Sequence, residues 1–146
     1  MTDEYNFIQD SLGLMIYRTA LALKSALQRC FKESGIEITP EQWAIIRHLW
    51  EEEGLSQREI GEKAAKDKPN ITRMLDALQQ KRLIFRQPDP RDRRKFCVYL
   101  TREGKQLHDR LLPLAQTLRE RVTQGLTQPE IDGIKEVLAK INQNIG

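Results

Sequence analysis

The segment from Lys66 to Thr101 constrains the fold of this chain more than any other. Asp67 and Pro69 are typical of a helix N-terminus, and the apolar residues that follow recur every three or four positions. Two short β-type runs come next, on either side of a turn rich in proline and arginine. The segment therefore predicts a helix followed by a β-hairpin.

The positive charge of the chain is concentrated in this hairpin. Between Lys81 and Lys95 there are seven Lys/Arg and two Asp, a net charge of +5, whereas the rest of the chain carries −2 of the total of +3. A helix with an exposed polar face fits the major groove of DNA, and a cationic hairpin can contact phosphates or the minor groove. The pattern favours a DNA-binding module.

Capping signals and apolar spacing predict the other elements. Capping boxes at Thr39, Ser56 and Thr127 each begin a helix, and a long first helix over residues 7–34 is ended by Gly35. The second helix should run to Gly54. Hairpin strands are predicted over residues 83–87 and 96–100, with Pro88 in the turn and with one face buried, formed by Phe96, Val98 and Leu100. This arrangement predicts a mainly α fold with a small β-wing, in which two short helices form a helix-turn-helix.

The last predicted helix has a narrow apolar stripe typical of helix association. Its members alternate in steps of three and four residues, and they are Ile131, Ile134, Leu138, Ile141 and Ile145. Such a stripe prefers another helix as partner. The first and last helices are therefore predicted to form a dimerisation unit.

Length and composition exclude several classes of protein. The 146 residues suffice for one domain, no apolar run reaches the roughly 18 residues of a membrane span, and the N-terminus lacks the features of a secretory signal.

Two distant cysteines, Cys30 and Cys97, fit a reducing compartment, so a cytoplasmic protein is expected. Since no catalytic or metal-binding motif is present, neither an enzyme nor a cofactor or metal is expected. The histidines His48 and His108 are predicted to be surface or interface residues.

Two motifs resemble those of a known family. The residues Asp89-Pro90-Arg91-Asp92-Arg93-Arg94, followed by Val98-Tyr99-Leu100-Thr101 and Glu103-Gly104, are similar to the wing signature of the MarR family of bacterial transcription regulators. The run Ile71-Thr72-Arg73-Met74-Leu75-Asp76 is similar to its recognition helix. The resemblance implies one domain over residues 1–146, with a winged helix-turn-helix at 39–101 between dimerisation helices at 7–34 and 104–146.

The resemblance also implies a function. A homodimer of this family places two recognition helices in successive major grooves of a pseudo-palindromic operator, so a repressor that binds double-stranded DNA is expected. The implied wing residues are Asp92 at the tip and Arg94 in the minor groove, with Arg91, Arg93 and Lys95 as phosphate contacts. The groove candidates on the recognition helix are Asn70, Thr72 and Arg73, and the backbone candidates are Lys68 and Ser56.

Many relatives release DNA when a small, often phenolic, anion binds between the dimerisation helices and the winged helix. The resemblance implies such an effector site here, lined by Tyr17, Trp43 and Arg47. Trp43 could instead be a core residue, and Arg47 could pair with Glu51 one helical turn away. Relatives that sense oxidants carry a cysteine early in the first helix, a position that neither cysteine of this chain matches.

Three alternatives remain open from the residues alone. The arginine run at the wing could be a solvated turn. The winged helix could contact an acidic protein partner, or bind DNA non-specifically as an architectural protein. Exposed aromatic residues would favour RNA, but none lies between Asp67 and Arg82.

Overall fold

The computed structural model describes residues 11–64 and 66–146. Within them the chain is mainly helical with a three-stranded antiparallel sheet, which confirms the predicted fold class. The helices are α1 (Leu12–Glu33), α2 (Pro40–Glu51), α3 (Gln57–Ala64), α4 (Lys68–Gln80), α5 (Arg102–Val122) and α6 (Gln128–Ile145). The strands are β1 (Leu55–Ser56), β2 (Ile84–Pro88) and β3 (Phe96–Leu100), and they lie in the order β1-β3-β2.

The predicted helix starts are confirmed by hydrogen bonds. The Thr39 hydroxyl accepts a bond from the backbone N–H of Gln42 at 3.1 Å, and the Gln42 side chain accepts one from the Thr39 N–H at 3.1 Å. Reciprocal pairs of the same kind begin α3 and α6. The Asp67 carboxylate caps α4 by accepting from the Asn70 N–H at 2.9 Å. These side chains satisfy N–H groups that have no partner inside the helix.

Some predicted boundaries are wrong or lie outside the described residues. The described part of the first helix begins at Leu12, and the predicted residues 7–10 lie outside the described ranges. The second helix ends at Glu51, before the predicted Gly54, because Glu52 already has an extended backbone. Gly54 instead takes a left-handed conformation, with φ of 79°, in the turn that leads into β1.

The wing differs from its prediction in three details. The short strand β1 was not predicted, and it pairs Leu55 with Val98 along the free edge of β3. Pro88 is the last residue of β2, opposite Phe96, rather than part of the turn. Phe96 was predicted on the buried face but is 50% exposed, because the hairpin at this rung extends beyond the core that buries Val98 and Leu100.

His108 is a core residue, which corrects the prediction of a surface or interface position. Its ring on α5 is 2% exposed and stacks between Trp43 and Trp50 of α2, at centroid distances of 5.2 and 4.2 Å. Trp43 also packs in a T-shaped arrangement with Phe31 of α1, with ring centroids 6.0 Å apart. This aromatic stack joins α1 and α5 to α2, the first helix of the winged-helix module.

A second junction joins the wing to α5. Arg82, after the end of α4, has a left-handed backbone with φ of 61°. Its carbonyl accepts the Thr101 hydroxyl at 2.7 Å, and the Leu83 carbonyl accepts the Thr101 N–H at 3.0 Å. Thr101 also caps α5 through the Gly104 N–H, at 3.0 Å. One threonine therefore fixes the start of α5 against the turn from which the wing emerges.

The two terminal helices expose much apolar surface. Along α1 the exposed side chains include Leu12, Met15, Tyr17, Leu21 and Leu23. No residue of α6 is buried, and the exposed members of its apolar face include Ile134, Val137, Leu138 and Ile145. Contiguous apolar surface of this kind marks an interaction site more often than an exposed single residue does.

Candidate nucleic-acid interface

The helices α3 and α4 are held together by a side-chain hydrogen bond. The Gln57 amide donates to the Thr72 hydroxyl at 2.6 Å, and that hydroxyl donates to the Lys68 carbonyl at 2.9 Å. Thr72 is half-buried, so its hydroxyl is occupied inside the helix-turn-helix. This geometry favours Thr72 as a residue that orients the two helices, and leaves its methyl group for contact with a base.

The first turns of α4 carry a polar network on their exposed side. The Asp67 carboxylate accepts from the Asn70 side-chain amide at 3.1 Å, and the Asn70 side-chain oxygen Oδ1 accepts from the Arg73 guanidinium. Asn70 therefore orients Arg73 while Asp67 orients Asn70. An arginine presented in this way retains free N–H groups for a base edge or a phosphate.

Two aspartates shape the tip of the wing. The Asp89 carboxylate accepts the Arg91 N–H at 2.8 Å, and the Asp92 carboxylate accepts the Arg94 N–H at 3.1 Å. The Lys95 carbonyl closes the turn by accepting the Asp89 N–H at 2.8 Å. The aspartates bind backbone groups, so the exposed cations of the tip remain directed to solvent.

A groove with a volume of about 600 Å³ brings residues of α3, α4 and the wing together. It contains four of the predicted DNA contacts, Ser56, Lys68, Arg94 and Lys95. It also contains two cations that sequence reasoning missed, Arg58 and Lys66, and the carboxylate of Glu62. Five cations against one carboxylate make the groove strongly positive. The sequence did contain an indication that Arg58 could contact DNA, because Arg58 lies in the first turn of α3, two residues after the predicted contact Ser56.

The remaining predicted contacts lie elsewhere on the module. Asn70 and Arg73 line a second groove between α4 and the start of α2, and Lys66 lies on both grooves. Arg91 and Arg93 are exposed at the wing tip. The structure thus places the predicted contacts on the N-terminal half of α4, at the start of α3 and on the wing.

Comparisons with known proteins agree with this geometry. The MarR family model matches residues 38–96, the segment that contains the helix-turn-helix and most of the wing. The HTH-type transcriptional regulator TtmR of Methylorubrum extorquens is 27% identical over 143 residues, which are 98% of this chain and 71% of TtmR. The regulator HosA of Escherichia coli O111:H- is 26% identical over 105 residues, 72% of this chain and 78% of HosA.

A solved structure extends the match to the whole architecture. The transcriptional repressor CouR bound to a 23-mer DNA duplex superposes with a TM-score of 0.85 and 28% identity, covering 93% of this chain and 95% of CouR. Residues 38–96 match the MarR family, and the chain as a whole has the fold of these regulators. Members of the MarR family are DNA-binding transcription regulators and not enzymes, in agreement with the function predicted from the sequence.

The three effector candidates have different environments. Trp43 is 5% exposed within the aromatic stack, which favours the core alternative for this residue. Arg47 lies over the Trp43 ring at 5.8 Å and also pairs with Glu51 at 3.5 Å. Tyr17 is 61% exposed on α1. The structure brings Arg47 and Trp43 together, and the effector role of all three residues stays a prediction.

Both cysteines are reduced and partly buried. Burial, together with the nearby carboxylates of Asp89 and Glu59, raises the pKa of the Cys97 thiol. Because the thiolate is the reactive form, this environment disfavours oxidation at Cys97.

Within residues 11–64 and 66–146, no group of three or more His, Cys, Asp or Glu side chains could hold a metal ion. No helix there is both long enough and apolar enough to cross a membrane.

Proposed function

We propose that the chain is a homodimeric repressor that binds a pseudo-palindromic operator. The observation that carries this proposal is the positive groove, which combines the start of α3, the start of α4 and the tip end of the wing on one continuous surface. In a two-fold dimer, two such surfaces would face successive major grooves, with half-site centres about 10 bp apart.

The exposed apolar faces of α1 and α6 support the dimeric part of the proposal. The helix α6 has 18 residues, and none of them is buried in the single chain. An amphipathic helix normally buries its apolar face, so the apolar face of α6 is expected to pack against another molecule. The apolar stripe of α6 has the spacing that packs against a second helix. Dimerisation would also supply the two-fold symmetry that a palindromic operator requires.

The proposal is tested by selection from random duplex pools at ~150 mM salt, where sequence-neutral phosphate binding is weakened. Enrichment of an inverted repeat with centres about one helical turn apart is expected. Salt-sensitive binding without an enriched motif would contradict the operator proposal and favour an architectural role. No DNA binding at all would instead favour contact with an acidic protein partner.

Arg94→Ala is expected to weaken operator binding about tenfold or more, and to lower the salt dependence of binding by about one released ion. The reason is that Arg94 is exposed and lines the positive groove. Fluorescence anisotropy at several salt concentrations measures both quantities, while sedimentation checks that the dimer is intact. Arg121→Ala is the matched control, since Arg121 is an exposed arginine in the last turn of α5. Unchanged affinity for Arg94→Ala would contradict the wing assignment.

The proposal extends to release of the operator by a small aromatic anion. A ligand lowers DNA affinity only if it prefers a separation of the two winged helices that does not fit successive grooves. Arg47 supports such a ligand, because its guanidinium is half-exposed and adjoins an aromatic ring on α2. Benzoate at millimolar concentration is expected to displace the operator from the wild type but not from Arg47→Ala. Equal displacement from both proteins, or from neither, would contradict a role for Arg47.

A further inference from the structure

The buried core reaches the wing only along its inner half, and one rung further out β3 is still paired with β1, through Cys97 and Ser56. Ile84, Val98 and Leu100 are buried, and the last rung that contains one of them is the pair Arg86 and Val98. The next two rungs and the tip are exposed or half-buried. About five residues extend beyond Arg86, a distance of about 15 Å at strand spacing. A small change of angle at Arg86 therefore moves the cations of the tip by several ångströms.

An ion pair fastens the rung of Arg86 and Val98, the last one with a buried residue, to α4. The Arg86 guanidinium donates to the Asp76 carboxylate at 2.7 Å, and the Arg86 side chain is only 22% exposed. Its Nε atom is buried and has no hydrogen-bond partner among the described residues, so Asp76 is the partner that the structure gives this cation. Asp76 follows Thr72 by one helical turn and lies on the same side of α4. The pair thus joins the side of α4 that carries the groove candidates to the base of the wing.

We propose that the ion pair between Asp76 and Arg86 sets the angle between the wing and α4, which makes both positioning residues for DNA recognition. The inference rests on the proposed function, in which α4 and the wing contact the same duplex. Once α4 has bound the duplex, the wing binds it at an effective concentration that depends on how stiffly the wing is connected to α4. A loosened wing would therefore lose much of the affinity that Arg94 contributes, although Arg94 itself is unchanged.

Other ion pairs of the chain differ from this one, and the pair on α6 serves as a control. Arg58 with Glu62, and Glu136 with Lys140, are spaced i,i+4 within single helices, and their side chains are at least 67% exposed. Exposed pairs of this kind contribute little. Asp76 and Arg86 are ten residues apart on different elements, and the arginine is largely removed from water. The pair of Asp76 and Arg86 is therefore expected to fix the position of the wing, whereas the pair on α6 is expected to have no such role.

The test is a double-mutant cycle between Asp76→Asn and Arg94→Ala, measured as operator affinity at fixed salt. Asp76→Asn is expected to weaken binding about tenfold in the wild-type background and by a smaller factor, about threefold, in the Arg94→Ala background, where the contacts of Arg91, Arg93 and Lys95 still depend on the wing angle. The charge reversal Asp76→Arg with Arg86→Asp is expected to bind more tightly than either single reversal. Glu136→Gln, the control, is expected to change affinity less than twofold. Thermal unfolding of each variant verifies that it is folded. If Asp76→Asn is unfolded, Arg86→Lys takes its place in the cycle, since lysine keeps the positive charge but lacks the planar guanidinium group.

Two outcomes would overturn the inference. Equal weakening by Asp76→Asn in both backgrounds would show that Asp76 acts independently of the wing. Operator affinity that Asp76→Asn leaves unchanged in both backgrounds would show that the ion pair does not position the wing. Failure of the proposed function is distinguishable, because the wild type would then select no operator, or Arg94→Ala alone would bind as the wild type does.

Discussion

Gly104→Ala is expected to destabilise the fold by about 3 kcal/mol or more, at the upper end of what overpacking a core causes. A Cβ atom at this position would lie 2.2 Å from the Leu83 carbonyl oxygen and 3.2 Å from the Leu100 side chain. The carbonyl cannot move freely, since it accepts the Thr101 N–H at 3.0 Å. The added methyl group must therefore push α5 away from the turn that leads into the wing.

The sign of this effect separates it from ordinary helix propensity. Alanine normally stabilises a helix by about 0.5–1 kcal/mol relative to glycine. Gly133 in α6 is the matched control, because a Cβ there has no atom within 4 Å among the described residues and lies off the apolar stripe. Chemical unfolding followed by circular dichroism should show Gly104→Ala less stable, and Gly133→Ala equally or more stable, than the wild type. A Gly104→Ala variant as stable as the wild type would contradict the close approach of α5 to Leu83.

The parts of the fold predicted correctly depend on interactions within a few residues of sequence. A helix cap is a bond between residues three apart, so the starts of α2 and α6 could be recognised from Thr39 and Thr127 alone. The polar and apolar sides of α4 follow from helix periodicity in the same way. The resemblance to the MarR family rested on two such local motifs, and the comparisons confirmed it.

The parts predicted wrongly depend on contacts between distant residues. His108 has no unusual neighbour in sequence, and only the packing of α5 on α2 places it between two tryptophans. The strand β1 has two residues, too few for a periodic signal, and it exists because Leu55 meets Val98. In the candidate interface, the bond from Gln57 to Thr72 and the ion pair of Arg86 with Asp76 join separate elements. The local sequence pattern could predict which face of a helix or strand carries these side chains, but it could not predict the residues with which they form hydrogen bonds or ion pairs.

Leu138→Glu is expected to weaken dimerisation by about a hundredfold or more, and operator binding with it. Leu138 lies at the centre of the α6 stripe and is 36% exposed in the single chain. Burial of a leucine is worth about 1.5–3 kcal/mol, and a two-fold dimer loses this contribution twice. A carboxylate on each helix would also enter an apolar contact without a partner. Since about 1.4 kcal/mol corresponds to a factor of ten, the combined loss exceeds a hundredfold.

Lys140→Glu is the control, because it places the same carboxylate on the opposite side of α6 and removes only an exposed ion pair with Glu136. Sedimentation velocity measures the dimer, and fluorescence anisotropy compares binding to a full operator and to a single half-site. For Leu138→Glu, the full operator should lose its advantage over the half-site, since a monomer presents one recognition helix and gains nothing from the second site. Lys140→Glu should keep that advantage. A Leu138→Glu protein that sediments as a dimer, or a monomer that still prefers the full operator, would show that the contact between protomers lies away from the α6 stripe.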